Sequence, residues 1–168
     1  MDLKKRKKIS IVGPCGSGKS FLAKELGRIL NLPIHHIDCY FWQPGWVGLD
    51  RQLLVERIKE ITDGDEWVID GTYTRTFEDR FERSDVIIFL NFPIDFCIES
   101  VKGRHGKKRT CLPEYLEERE DGIEELIWHA NRFPEKMKEF AHLFEKYKCK
   151  IVEYNSREQV NEMLDSLK

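Results

Sequence analysis

The sequence predicts an α/β fold in which a parallel sheet is covered by helices. Two observations carry that prediction. Short apolar runs alternate along the chain with stretches of helical period, the order that builds βαβ units. The first of those runs passes directly into a glycine-rich octet that opens a helix, a strand–loop–helix context with its own chemistry. At 168 residues the chain has the length of about one domain. No repeat, low-complexity linker or shift of composition divides it, so residues 1–168 are read as a single domain.

Five runs read as strands: Ile9–Val12, Ile34–Ile37, Trp67–Ile69, Val86–Leu90 and Ile151–Tyr154. The first and fourth are almost unbroken in apolar residues, as a strand buried on both faces must be. Between them, Phe21, Leu22, Leu26, Ile29 and Leu30 form one helical stripe, and Leu53, Leu54, Ile58 and Ile61 a second. Phe96, Cys97 and Val101 suggest a third helix. Leu116, Ile123, Leu126 and Ile127 suit a longer one, and Met137, Phe140, Ala141, Phe144 and Tyr147 another. The last helix carries a start signal, with Ser156 as N-cap and Gln159 three residues on.

Composition narrows the function classes. Lys and Arg total 28 and Asp and Glu total 30, a net charge of −2. A chain 40% hydrophobic and 35% charged has enough apolar material for one core and a well-solvated surface. Near-zero net charge argues against whole-protein attraction to nucleic acid or anionic lipid. No apolar run approaches the roughly 18 residues of a membrane span. The basic start, Lys4-Lys5-Arg6-Lys7-Lys8, is followed by too short an apolar stretch for a signal peptide, and a cytoplasmic protein is expected. That basic run reads as a frayed, soluble end. The five cysteines are odd in number and never spaced Cys-x-x-Cys, which fits reduced thiols and neither a disulfide frame nor a zinc site.

The chemistry begins at Gly13-Pro14-Cys15-Gly16-Ser17-Gly18-Lys19-Ser20, a complete G-x-x-x-x-G-K-S phosphate loop. Its glycines let the backbone curl until several N–H groups point at one phosphate, and the helix behind adds its positive end. Lys19 can reach the β- and γ-phosphates and follow the transferred group, and the Ser20 hydroxyl suits Mg²⁺. In open α/β sheets ligands gather at the carboxyl ends of strands. Asp70 stands at such an end and suits Mg²⁺, directly or through water; Asp before Gly71 is also an ordinary turn former. The serine hydroxyl alone leaves a metal short of oxygen ligands, which favours the metal role. Asp38 ends the second run and suits an acceptor hydroxyl, which it would orient or deprotonate; capping the next segment is the plainer alternative. His35 and His36 read as hydrogen-bonded core histidines.

Next comes Tyr40-Phe41-Trp42-Gln43-Pro44-Gly45-Trp46, too broken for a regular element. Trp42 and Trp46 either line a small-molecule pocket or cover the sheet edge as a minor core. Residues 102–112 hold a basic run with glycine hinges, the composition of a lid over a triphosphate, with Arg104 or Arg109 placed to stabilise charge on the transferring group. The acidic stretch Glu114–Glu125 reads as a solvated helix face.

These residues resemble the topology-modulation (FlaR-like) proteins, small P-loop kinases related to adenylate and shikimate kinases. The resemblance covers nearly the whole chain. It rests on the phosphate loop, on His36-Ile37-Asp38 with Phe41-Trp42-Gln43-Pro44-Gly45-Trp46, and on Glu66-Trp67-Val68-Ile69-Asp70-Gly71. Ser84-Asp85 before Val86–Leu90 and Phe133-Pro134 before a lysine-rich helix add to it. It implies a P-loop NTPase fold of three α/β/α layers, with a five-stranded parallel sheet of order 2-3-1-4-5 and a short helical lid. It further implies an ATP site working with Mg²⁺, and Asp38 and Gly71 near an acceptor. Arg75, Arg80 and Arg104 would be phosphate contacts, and Asn155-Ser156-Arg157 would lie beside adenine. The function expected is therefore transfer of the γ-phosphoryl of Mg·ATP to a small hydroxyl or phosphate acceptor. A slow ATPase switch and an ATP-responsive regulator linked to DNA topology are the alternatives. The partners expected are ATP and a small molecule, without direct nucleic-acid binding.

Overall fold

The computed structural model describes residues 2–104, 111–116 and 122–168. In chain order the strands are β1 (Lys8–Val12), β2 (Ile34–His36), β3 (Trp42–Gln43), β4 (Val47–Gly48), β5 (Trp67–Asp70), β6 (Val86–Leu90) and β7 (Ile151–Tyr154). The helices are α1 (Lys19–Leu30), α2 (Ile37–Phe41), α3 (Arg51–Thr62), α4 (Phe77–Arg83), α5 (Ile94–Lys102), α6 (Gly122–Glu139), α7 (Ala141–Lys146) and α8 (Arg157–Leu167). Five strands form one parallel sheet in the order β2-β5-β1-β6-β7. The labels differ in detail from the expected 2-3-1-4-5 because an antiparallel pair, β3–β4, is inserted after the second sheet strand and shifts the count; the spatial order of the five sheet strands is the same.

Alternation along each strand sends side chains to both faces. On one face Ile9, Ile11 and Ile88 pack with Leu22 and Leu26 of α1 and Val160 and Leu164 of α8. On the other, Val12 and Ile87 pack with Phe77 and Phe81 of α4 and Leu143 of α7. A third cluster joins Trp67 and Ile69 to Leu54 and Ile58 of α3. Both faces being covered explains why the β1 and β6 runs are so continuously apolar. Complete burial of each such side chain contributes about 1.5–3 kcal/mol.

Local chemistry sets the ends of the elements. Asp50 caps α3, accepting from Gln52 N at 2.8 Å and Leu53 N at 3.2 Å. Asn31 closes α1 in the left-handed region at φ 54°. Gly27 lets α1 lie close against β2, since a Cβ there would stand 2.3 Å from the Ile34 side chain. The capping box of α8 forms with a shift: Ser156 Oγ accepts from Gln159 N at 3.4 Å, but the Gln159 side chain takes the N–H of Asn155.

Four expectations change. Ile37 and Asp38 do not continue β2; they open α2. Phe21 and Leu53, counted in helical stripes, are 60% and 53% exposed, so the buried stripes are narrower than the sequence suggests. Pro134 lies inside α6, which runs on to Glu139, so the expected stripe from Met137 to Tyr147 is divided between α6 and α7. Leu116 is buried but outside any helix. Residues 105–110 of the expected lid, Arg109 among them, and residues 117–121 of the acidic stretch lie outside the described residues.

Candidate functional site

The phosphate loop runs from the carboxyl end of β1 to the first turn of α1. Gly16 and Gly18 both adopt φ 88°, a conformation costly for residues with a Cβ. At Gly16 a Cβ would also stand 2.1 Å from the carbonyl oxygen of Cys97 in α5. The loop is therefore curled tightly under α5, and glycine is required at Gly16 by both torsion and space. Ser17 N and Oγ donate to the Pro14 carbonyl at 3.3 and 2.9 Å, closing the curl. The Lys19 ammonium folds back on the same loop and donates to the carbonyls of Gly13 and Pro14 at 3.0 and 2.8 Å. Thr72, just after β5, donates its hydroxyl to Gly13 O at 2.6 Å and accepts from Gly13 N at 3.2 Å, which ties the loop to the neighbouring strand end.

Beside the loop, parallel pairing of β1 with β5 brings Asp70 to its mouth. Asp70 is only 3% exposed. Its Oδ2 accepts from Ser20 Oγ at 2.8 Å, and its Oδ1 from His36 Nδ1. Ser20 and Asp70, both singled out as metal ligands, thus stand with their oxygens together. The carboxylate of Asp38, in the first turn of α2, accepts from the Tyr73 hydroxyl at 2.6 Å.

Both sets share one cavity of about 1260 Å³. Gly13, Cys15, Gly16, Gly18, Lys19 and Ser20 line one part of it, Asp38, Trp42, Trp46, Gly71 and Arg75 another, with Asp70 and Arg104, just after α5, also on the wall. Its ionisable lining among the described residues is mostly basic: Lys19, Lys24, Arg51, Arg75, Arg104 and Lys136 against Asp38, Asp70 and Glu125. Such a lining suits a polyanion.

The aromatic segment serves both uses open to it. Tyr40 and Phe41 pack against the α3 cluster. Trp42 and Trp46, edge to face at 5.4 Å, line the cavity. Phe41 bridges the two uses, with rings of Trp42 and Tyr73 at 4.8 and 5.1 Å. His35 pairs with the Tyr40 hydroxyl at 2.7 Å. Burial, and then the nearby His36, hold its imidazole below the ordinary value. Burial also pushes the Cys39 thiol up to about 11, with Cys111, Asp38 and Asp70 adding to the rise.

Two expected groups lie elsewhere. Arg80 does not reach the cavity: it is fully buried, and its guanidinium donates to the carbonyls of Gly71 at 2.8 Å and Ile69 at 3.2 Å. Burial lowers it to about 10, opposed by the charge of Asp70. In an amphipathic helix the spacing of Arg80 gives no hint that it points inward. Asn155, Ser156 and Arg157 are absent from the cavity lining. Ser156 caps α8, and the Arg157 guanidinium lies 5.2 Å from the Phe96 ring centre. Other lining residues escaped sequence reasoning. Thr72 and Tyr73 follow Asp70-Gly71 directly, and that adjacency was a usable signal. Phe21, His129 and Phe133 face the cavity from helices, and nothing in their periodicity marks them.

No family model matches the chain. Among curated proteins, a 51-residue stretch is 45% identical to the mitochondrial ATP-dependent clpX-like chaperone of Saccharomyces cerevisiae, covering 30% of this chain and 10% of that protein. Another 51-residue match, 41% identical, is to the ATP-dependent Clp protease ATP-binding subunit ClpX 2 of Wolinella succinogenes, covering 30% of this chain and 13% of that protein. The chain thus spans about a tenth of the length of the curated relatives it matches. Solved structures align end to end. The shikimate kinase of Bacteroides thetaiotaomicron superposes with a TM-score of 0.60 at 19% identity, over 96% of each chain. That of Aquifex aeolicus gives 0.55 at 21%, over 95% of each. The shikimate kinase of Acinetobacter baumannii, solved with shikimate, gives 0.55 at 16%, over 98% of this chain and 94% of that one. The chain has a shikimate-kinase-like P-loop fold, a parallel five-stranded sheet flanked by helices.

Proposed function

We propose that the protein is an ATP-dependent phosphotransferase acting on a small hydroxyl or phosphate acceptor. The observation that carries this reading is the shared cavity, with a complete phosphate loop on one part of its wall and Asp38 among aromatic and basic side chains on another. A structural likeness to the small P-loop kinases agrees with it, as does the resemblance of the motifs to topology-modulation proteins.

The residues present fit Mg·ATP. The loop's curl requires glycine at Gly16, as a backbone cradle does. The adjacent Ser20 and Asp70 oxygens are the hard donors Mg²⁺ selects. When bound, the metal neutralises charge on the phosphoryl oxygens. Lys19 then exchanges its two carbonyl partners for phosphoryl oxygens and follows the transferred group. Asp38, fixed by Tyr73, orients the acceptor hydroxyl and takes its proton as the new bond from that oxygen to the γ-phosphorus forms and the bond from the γ-phosphorus to the β,γ-bridging oxygen breaks, ADP leaving with the electron pair. Trp42 and Trp46 pack against the acceptor, Gly71 and Arg75 border it, and Arg104 stabilises charge on the group in transit. Cys15, Gly16, Gly18 and Lys19 offer backbone N–H groups to the phosphates, while Gly13 and Pro14, the latter without an N–H, shape the turn.

The test is a transfer screen with Mg·ATP over nucleosides, nucleotides, sugars and cyclic hydroxy acids, read as phosphorylated product. A phosphorylated acceptor is expected. Release of phosphate alone, with every acceptor, would establish the ATPase switch instead.

A further inference from the structure

We infer that His36 is a positioning residue for the metal-binding carboxylate, holding one oxygen of Asp70 so that the other is kept for the Ser20 side of the site. The inference rests on the reading of Ser20 and Asp70 as the Mg²⁺ ligands. Nothing in the chemistry of the loop requires a histidine here; the register of the sheet supplies it.

The sheet makes the pair. β2 and β5 are parallel neighbours, and their register sets His36 directly across from Asp70. A carboxylate can only accept, so the His36 Nδ1 in contact with Asp70 Oδ1 carries the proton. Asp70 Oδ2 is left to Ser20 Oγ at 2.8 Å. The two carboxylate oxygens are thus divided: one is spent on the sheet and the other faces the phosphate loop. Without His36, rotation about χ2 would let either oxygen face Ser20, or neither.

Arg80 completes the arrangement from behind. Its guanidinium sits on the carbonyls of Ile69 and Gly71, the residues flanking Asp70, and interacts favourably with the Asp70 charge. Asp70 thus has a fixed buried cation behind it and its direction set by His36. The division of labour separates His36 from a residue that merely fills space at the sheet edge.

The experiment is calorimetric titration of ATP into the full chain over a range of Mg²⁺ concentrations, and also in EDTA. It compares wild type, His36→Leu and His36→Asn. Leucine removes the donor and keeps much of the volume; the asparagine amide nitrogen lies close to where Nδ1 was. Partners outside the first ligand shell usually change metal affinity about 10- to 100-fold. His36→Leu is therefore expected to raise the Mg²⁺ concentration for half-maximal enhancement of ATP affinity by about tenfold or more. Affinity in EDTA should stay within about twofold, since the backbone cradle is untouched. His36→Asn should recover most of the loss. Combining His36→Leu with Asp70→Asn should add nothing to the effect of Asp70→Asn alone. An unchanged Mg²⁺ dependence in His36→Leu, or an equal loss with and without Mg²⁺, would overturn the inference. Should His36→Leu fail to fold, His36→Asn decides it: an altered Mg²⁺ dependence there, with EDTA affinity kept, supports positioning, and equal losses refute it. A wild type that binds ATP without any Mg²⁺ effect refutes the metal role of Asp70. A wild type that binds no ATP refutes the kinase reading, and this inference with it.

Discussion

Asp38 shows how much a single side chain depends on its neighbour. It is a half-buried carboxylate held by the Tyr73 hydroxyl at 2.6 Å, on the wall of the cavity that the phosphate loop also lines. Asp38→Asn should lower phosphoryl transfer about 10²- to 10⁴-fold, the usual worth of a positioned acid or base. ATP affinity, measured by calorimetry, should stay nearly intact. Full transfer by the variant would remove Asp38 from the acceptor side. His35 offers a second residue-level outcome. Its folded value lies below the ordinary 6.5, through burial first and His36 second. As pH falls through about 6.5 the unfolded chain takes up this proton before the folded one, so stability is lost from there down to the lower folded value. His35→Asn should flatten the unfolding midpoint against pH over that window. Parallel profiles for the two proteins would refute the assignment. The Asp38–Tyr73 partnership was not visible in the residue order: the two lie 35 residues apart, and the pairing of β2 with β5 brings them together.

Among the elements, those the sequence made legible are the ones that obey one periodicity. β1 and β6 could be read because both faces are buried and the runs are nearly continuous in apolar residues. The phosphate loop could be read because torsion and space leave little choice of residue. The segment from Ile37 to Gly48 could not. There a five-residue helix and a two-residue strand pair are held by tertiary contacts such as Leu49 N on Phe41 O at 2.7 Å. Elements that short have no period to display. The loop glycines separate torsion from space. Gly18→Ala meets nothing within 4 Å and suffers only its positive φ, a cost of about 1–2 kcal/mol. Gly16→Ala has the same φ and also drives a Cβ to 2.1 Å from the Cys97 carbonyl. Gly16→Ala should therefore lower the unfolding temperature more than Gly18→Ala, and lose ATP affinity about 100-fold or more (about 2.7 kcal/mol). Equal effects of the two variants would mean that α5 does not clamp the loop.

For the molecule as a whole, charge is divided unevenly between the bulk and the cavity. The net charge is −2, yet the cavity lining is mainly basic. A polyanion should therefore bind at one place and tie together elements from across the sheet, since α1, β5, α6 and the segment after α5 all contribute lining residues. Ligand that binds only the folded state stabilises it by mass action, by about 2.7 kcal/mol at a hundred times its dissociation constant. For a chain of this size that corresponds to about 5–10 °C in the unfolding temperature. Mg·ATP at that excess should produce this shift. Lys19→Ala should lose most of it, because its ammonium is the loop's cation and can exchange the Gly13 and Pro14 carbonyls for phosphoryl oxygens. A short basic tail or an exposed lysine patch would behave differently: its effect would fade with added salt and ignore Lys19. A shift that survives both 0.5 M salt, about three times physiological strength, and the loss of Lys19 would place the nucleotide outside the cavity. No shift at all in wild type would leave the basic lining to serve some other anion.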